Sequence, residues 1–334
     1  MHAIKENVVL IADRIFLSYD NVEAEADTLE MIPDEYFFQI FEGLSAISKS
    51  VTHYNTLEEF IDNIQQHKDD LVFTIYGGRR SRNRMALVPA ICESYGIKFV
   101  GADTYARIVC QDKQISKEVI RRFELKTADY LLIDHFTDMA LLQTLNYPLV
   151  IKPNLEGSSI GIHAHSRVSN YIDAKALSLQ LLSEFKQPVI AEEFLSGHEV
   201  CVCVSGNINE VKLIEPMEVY APADNDYFIN RLYTAYDKHV SDLLIEHRPI
   251  FINESDIEKL KRIFLSFGKM DYMRIDGRVK DGIFYLIELT PDAHLGKTSS
   301  FADAFKKNGL EYKDMLLSFT HNALTYYQNP YSNV

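Results

Sequence analysis

Lys152-Pro153-Asn154-Leu155-Glu156-Gly157-Ser158-Ser159-Ile160-Gly161 is the stretch on which the reading of this chain turns. It overlaps the end of Tyr147 to Pro153 (YPLVIKP), a run that reads as a buried strand. A lysine therefore leaves the end of a strand, and a loop of small residues follows. Backbone N–H groups of Gly and Ser can turn toward phosphate oxygens, and the two hydroxyls add donors. Lys152 supplies a compact positive charge for the same phosphates. A Gly-Ser turn by itself is only a polar hairpin, so the residues around it decide. Ile160 to Ala164 reads as a returning strand, which makes a hairpin around the loop.

Working outward, the first hundred residues alternate between strand and helix. Val8 to Ala12, Leu71 to Ile75 and Ile97 to Val100 are apolar runs of strand length. Glu35 to Ser48 and Met85 to Tyr95 carry apolar residues at helical spacing, the second stopped by Gly96. Strand, helix, strand with short connections predicts a parallel sheet whose carboxyl edge binds ligands. Asp112 to Phe123 and Ala174 to Phe185 are helices, and Pro188 to Phe194 is a further strand. Beyond it lie strand-like stretches at 199–205, 209–215 and 283–290 and helices at 255–268 and 301–308. The polar segment from Val219 to Asp242 is too long for an ordinary turn and reads as a flap.

The bulk properties bound the partners. The chain has 334 residues, enough for two or three units, and 47% hydrophobic residues, enough for a sizeable core. A net charge of -14 argues against nucleic acid and anionic membranes, which need a basic face. Cys92, Cys110, Cys201 and Cys203 show no CxxC or metal-finger spacing and read as reduced core residues of a cytoplasmic protein. No apolar run is long enough to span a membrane.

The Lys-Pro-x-x-Glu-Gly-Ser-Ser-x-Gly pattern resembles the phosphate-covering loop of D-alanine-D-alanine ligases, and the likeness extends from about residue 71 to residue 312. The resemblance implies an ATP-grasp fold of mixed α/β and α+β class. It would have an N-terminal Rossmann-like parallel-sheet domain (1–101), a small central domain (102–195) and a C-terminal domain (196–334). It implies ATP and Mg2+, with Lys113, Lys152, Glu156, Gly157, Ser158 and Ser159 around the phosphates. Glu192-Glu193-Phe194-Leu195 resembles the adenine hinge: Glu192 accepts from the amino group, the backbone around Glu193 and Leu195 reads the ring edge, and Glu199 holds the ribose. Arg274-Ile275-Asp276 and Glu288-Leu289-Thr290 match the family's Arg-x-Asp and Glu-x-Asn. Asp276, Glu288 and Thr290 are then the metal set and Arg274 the group that stabilises the oxyanion. Thr290 stands where the family has asparagine. In the flap, Lys238 matches a lysine that reaches the terminal phosphate, and His239 stands where many members carry a tyrosine bonded to the loop serine, here Ser158.

Two segments depart from that pattern. The family carries acids after its second strand, whereas this chain has Arg79, Arg80, Arg82 and Arg84 within six residues. Arginine suits carboxylate bidentately, so this segment reads as a pocket for an anionic first substrate. In the loop after Thr290, His294 aligns with a glycine, Ser299 keeps a serine that holds the carboxylate of the amine substrate, and Lys297 stands nearby. The N-terminal glutamate that binds the first amino group has no clear counterpart, and Glu23, Glu25 and Glu35 are candidates.

The implied reaction activates a carboxylate as an acyl phosphate and joins it to an amine, with the flap excluding water. Three readings stand: a specialised amino-acid ligase with an atypical substrate, an ordinary cell-wall D-alanine-D-alanine ligase, and a non-catalytic nucleotide-binding protein. Partners are small-molecule substrates, and the resemblance adds a homodimer.

Overall fold

The computed structural model describes residues 3–15, 32–78, 82–234, 236–237 and 242–328. Among them, three sheets carry the architecture, with a two-stranded ribbon beside the first. In the first sheet, Val8–Ile11 lies between Val51–Tyr54 and Leu71–Thr74, with Lys98–Phe99 beyond, and every pairing is parallel. All four residues of Val8–Ile11 are buried, as a parallel strand covered on both faces requires. Helix Asp34–Ile47 starts with two acids in its first turn, which complement the helix dipole. Helix Leu87–Tyr95 ends where Gly96 takes φ 68° and turns the chain out.

The second sheet is antiparallel, in the order Arg167–Val168, Leu149–Pro153, Val189–Glu193, Tyr130–Ile133. Helix Tyr171–Phe185, capped by Asn170, supplies Leu177, Leu181 and Leu182 to its core. The hairpin expected at Ile160 to Ala164 does not form. Ser158, Ser159 and Gly161 all have positive φ, and the N–H groups of Ile160 and Ile162 close tight turns onto Gly157 and Ser159. An extended strand cannot pass through those angles. The strand that pairs with Leu149–Pro153 is Arg167–Val168, which begins several residues later.

The third sheet has the order Glu246–Pro249, Glu210–Tyr220, His198–Asn207, Tyr272–Lys280, Ile283–Thr290, Lys126–Thr127. Side chains alternate across it. Val200, Val202, Val204, Met273 and Ile275 bury one face against Leu260, Ile263 and Phe264 of helix Glu254–Ser266 and Ala106 and Val109 of helix Thr104–Gln111. Residues of the other parity, Glu199, Arg274, Asp276 and Glu288, carry the charges. Helix Tyr312–Gln328 was not anticipated from sequence. It buries Met315, Leu316 and Phe319 in one core with Leu10, Leu44 and Phe73 of the first sheet and its helix. Ser318, Thr320 and Asn322 are buried on it as well, which masks its apolar stripe. All four cysteines are buried and free.

Candidate active site

Lys152 is the penultimate residue of Leu149–Pro153, and its ammonium is paired with Oε1 of Glu192 on the adjacent strand. Lys117, one helical turn beyond Lys113, reaches Oε2 of Glu192 at 3.0 Å and donates to Thr127 Oγ1 at 2.7 Å. Burial alone would push the Glu192 carboxyl up. The two lysines overcome it and hold the group at about 2, far below the usual carboxylate range. Burial lowers the Lys117 ammonium from its ordinary value in spite of Glu192.

Lys113 opens helix Lys113–Arg121 behind its cap Asp112, which accepts from Ile115 N–H at 3.0 Å. Its ammonium donates to the Glu156 carbonyl and lies 3.3 Å from Glu288 Oε2. The Glu156 side chain takes Arg84 at 2.8 Å and Gln187 at 2.7 Å. Ser158 and Ser159 are held at φ 51° and 63°, conformations that non-glycine residues adopt only where surroundings enforce them. Ser159 Oγ donates to the Tyr233 carbonyl at 3.1 Å, so Tyr233, within the segment read as a flap, docks on the loop after Lys152.

On the charged face of the third sheet, Asp276 and Glu288 are direct cross-strand partners, as are Arg274 and Thr290. Arg274 forks onto Asp276, Nε to Oδ1 at 2.6 Å and Nη2 to Oδ2 at 2.9 Å, and Thr290 Oγ1 donates to Oδ2 at 2.9 Å. Burial works against the Arg274 cation, but Asp276 more than offsets it and raises its affinity for the proton. Two carboxylates and a hydroxyl on neighbouring strands form an oxygen-only donor set beside the phosphate-loop lysines. That chemistry fits magnesium with nucleotide phosphates. No group of three His, Cys, Asp or Glu side chains placed to hold a metal occurs among the described residues.

The hinge follows directly. Glu193 accepts the N–H and the side-chain amide of Asn146, both at 2.8 Å, and Phe194 N–H bonds the Pro148 carbonyl. Leu195 is half-buried behind it. Glu199 is held by Arg278 at 2.7 Å, and Arg278 also binds the carbonyls of Phe228 and Ile229 at 2.9 and 3.2 Å. Sequence reasoning missed both Arg278 and Lys117. The signals were present: Arg278 continues the alternation of Arg274 and Asp276, and Lys117 lies four residues after Lys113 on one helix face.

On the substrate side, Arg79, Arg80, Lys238, His239, Glu23 and Glu25 lie outside the described residues. Arg82 is exposed. Arg84 is buried and paired with Glu156 at 2.8 Å. Asp13, also missed, accepts the N–H groups of Gly77 and Gly78 at 2.8 and 2.9 Å and sets the carboxyl edge of the first sheet. Glu35 accepts from Gln39 at 3.2 Å. The loop after Thr290 is held at several points: Asp292 by Arg107, Leu295 N–H by Tyr36 Oη at 3.0 Å, and Lys297 N–H by Gln39 at 2.7 Å. His294, exposed, packs on the Tyr36 ring at 4.0 Å. Ser299 is buried and caps helix Ser300–Lys307.

The family model "D-ala D-ala ligase C-terminus" matches residues 119–320, more than half of the chain. The D-alanine-D-alanine ligase A of Bacillus cereus is 27% identical over 265 residues, 78% of this chain and 83% of that one. The ligase of Thermotoga maritima is 24% identical over 283 residues, 83% and 88% of the two chains. Among solved structures, the Bacillus anthracis D-alanine-D-alanine ligase complexed with ATP superposes with a TM-score of 0.71 at 17% identity, covering 97% of this chain and 99% of that one. The VanG D-Ala:D-Ser ligase of Enterococcus faecalis gives 0.67 at 20%, covering 96% and 100%. With its ATP-grasp fold and the matched region spanning both the hinge and the acid pair, the chain belongs to the D-alanine-D-alanine ligase family.

Proposed function

We propose that this protein joins a carboxylate to an amine at the expense of ATP, through an acyl phosphate, with magnesium. One observation carries the reading: the Lys152 loop is placed between a hinge carboxylate, Glu192, and the cross-strand pair Asp276 and Glu288. Bound magnesium and ATP supply an activated terminal phosphoryl group with its charge neutralised. The chain's own residues do the rest. Lys113, Lys152 and the backbone of Gly157, Ser158 and Ser159 hold the phosphates. Glu192, Glu193, Leu195 and Glu199 hold the nucleoside, and Arg274 donates to the developing oxyanion. Lys238 and His239 belong to the segment that shuts out water.

The finer question is which carboxylate is activated. The curated relatives are D-alanine-D-alanine ligases and favour D-alanine. The arginine segment favours a substrate with an extra negative group, since it offers Arg79, Arg80 and Arg82 where the family has acids. Arg84, paired with Glu156, no longer counts toward that reading. His294 and Ser299 stand at the amine side in either case.

The test is ADP release with D-alanine, acidic amino acids and keto acids, in wild type and in Arg79→Ala/Arg82→Ala. A preference of tenfold or more for the acids, lost in the double variant, supports the specialised ligase; two like charges near 4 Å cost roughly a few kcal/mol before screening. Preferential use of D-alanine, unchanged in the variant, places the protein with the cell-wall enzymes. No ADP release with any acceptor leaves a nucleotide-binding protein without catalysis. With this reading go a cytoplasmic location, a homodimer, and working units of 1–101, 102–195 and 196–334, checked by sedimentation and limited proteolysis.

A further inference from the structure

The buried charges at the hinge do not balance. Glu192, Lys152 and Lys117 are 5%, 4% and 0% exposed, and the two ammonium groups take one carboxylate oxygen each. The next carboxylate acting on Lys117 is Glu288, from the third sheet. One carboxylate between two lysines leaves positive charge where water does not reach, which is unfavourable unless an anion arrives to take one of them. The two lysines differ in freedom. Lys152 stands at the mouth of the phosphate loop. Lys117 sits behind the sheet, fixed also to Thr127, whose hydroxyl donates to the Leu286 carbonyl at 2.9 Å.

We propose that Lys117 is the resident counter-ion of Glu192: it keeps that carboxylate charged and aimed when Lys152 turns to the nucleotide phosphates, and thereby sets the choice of a 6-amino over a 6-oxo purine. The inference rests on the nucleotide reading above. An ionised carboxylate only accepts hydrogen bonds, so it takes the N–H of a 6-amino group and repels a 6-oxo oxygen. Without Lys117, a buried Glu192 abandoned by Lys152 takes up a proton and becomes a donor, and the distinction goes. Lys117 is thus a positioning residue, acting through Glu192.

Calorimetric binding of ADP and inosine diphosphate, both with magnesium, reads this without any acceptor substrate. The wild type should prefer ADP by about tenfold to a hundredfold, the scale of one buried hydrogen bond made or lost. Lys117→Met should bring the two diphosphates within about threefold of each other, and Lys117→Arg should keep the preference. Glu192→Gln should also erase it, and the double variant should fall no further, since both changes act through one carboxylate. Equal weakening of both diphosphates in Lys117→Met, with the ratio preserved, makes Lys117 a packing residue and overturns the proposal, as do multiplicative losses in the double variant. If Lys117→Met does not fold, the wild-type ratio from about pH 8 to about pH 5 decides: it stays flat if Glu192 remains charged, and decay across that range overturns the proposal. A wild type that binds no ADP overturns the nucleotide reading itself.

Discussion

At the scale of single residues, charge burial gives the clearest expectations. The Glu192 carboxyl titrates near 2 in the fold, against an ordinary value near 4.5. A carboxyl lowered by folding stabilises the folded state above its unfolded value and loses that contribution as pH falls through the folded one. Its share, roughly 3 kcal/mol at about 1.4 per unit, should therefore disappear between about pH 4.5 and pH 2. Acid unfolding followed by circular dichroism should show Glu192→Gln less sensitive than wild type in that window. If Lys152 holds the phosphates as proposed, Lys152→Ala, which leaves Lys117 to balance Glu192, should drop ADP release by at least about a hundredfold with the far-ultraviolet spectrum unchanged. Thr290→Asn replaces a hydroxyl that now donates to Asp276 with a side chain whose oxygen faces a metal more readily. The magnesium concentration for half-maximal ADP release should fall; an inactive variant would give Thr290 a role other than ligation.

At the scale of an element, the phosphate loop holds its shape against backbone strain. Gly161 has φ +71°, and a Cβ there would lie 2.7 Å from Pro153 Cγ and 3.0 Å from Phe185 Cζ. Gly161→Ala should cost about 1–3 kcal/mol of loop order. The expected signature is a raised KM for ATP with little change in kcat, because the loop can still close once nucleotide is bound. A fall in kcat at unchanged KM would mean that the strained turn acts in the chemical step. The same strain explains why the sequence reading of Ile160 to Ala164 as a strand fails: Ile, Gly, Ile suggest a strand, but φ at Ser158, Ser159 and Gly161 is decided by what the loop packs against.

At the scale of the whole molecule, ion pairs tie the sheets together around the site. Arg84 reaches Glu156 from the first sheet's edge, and Arg107 reaches Asp292 beneath the loop after Thr290. Arg107 is 2% exposed. Arg107→Met leaves the partly buried Asp292 without its cation and should cost up to about 3 kcal/mol, read as a lower Tm. Burial already raises the Asp292 carboxyl despite Arg107, so the loss should be smaller at acid pH, where Asp292 takes a proton. Arg107→Met/Asp292→Leu should recover most of the Tm, since replacing both partners removes the uncompensated charge. No recovery would show that the arginine is needed for its bonds to the Met85 and Ala102 carbonyls instead.

The sequence by itself determined that Lys152 ends a buried strand before a Gly-Ser loop, that Glu192 lies at the end of another strand, and that Asp276 and Glu288 sit side by side on two strands. Each of these depends on neighbours in sequence or on strand alternation: a two-residue period suffices to put Arg274 and Asp276 on one face, and their partners Thr290 and Glu288 lie on the next strand. Only the tertiary structure decided which charges meet. Lys117 and Arg278 drew no reading from sequence, and packing closes them against Glu192 and Glu199. Arg84 looked like part of a basic patch until the first and second sheets brought it to Glu156. The helix Tyr312–Gln328 was hidden for the same reason, since Thr320 and Asn322 are polar in sequence yet buried, with Asn322 bonded to Ser205 and the Asp271 carbonyl. Burial turns a polar residue from a surface signal into a partner, and no spacing along the chain records which surface will cover it.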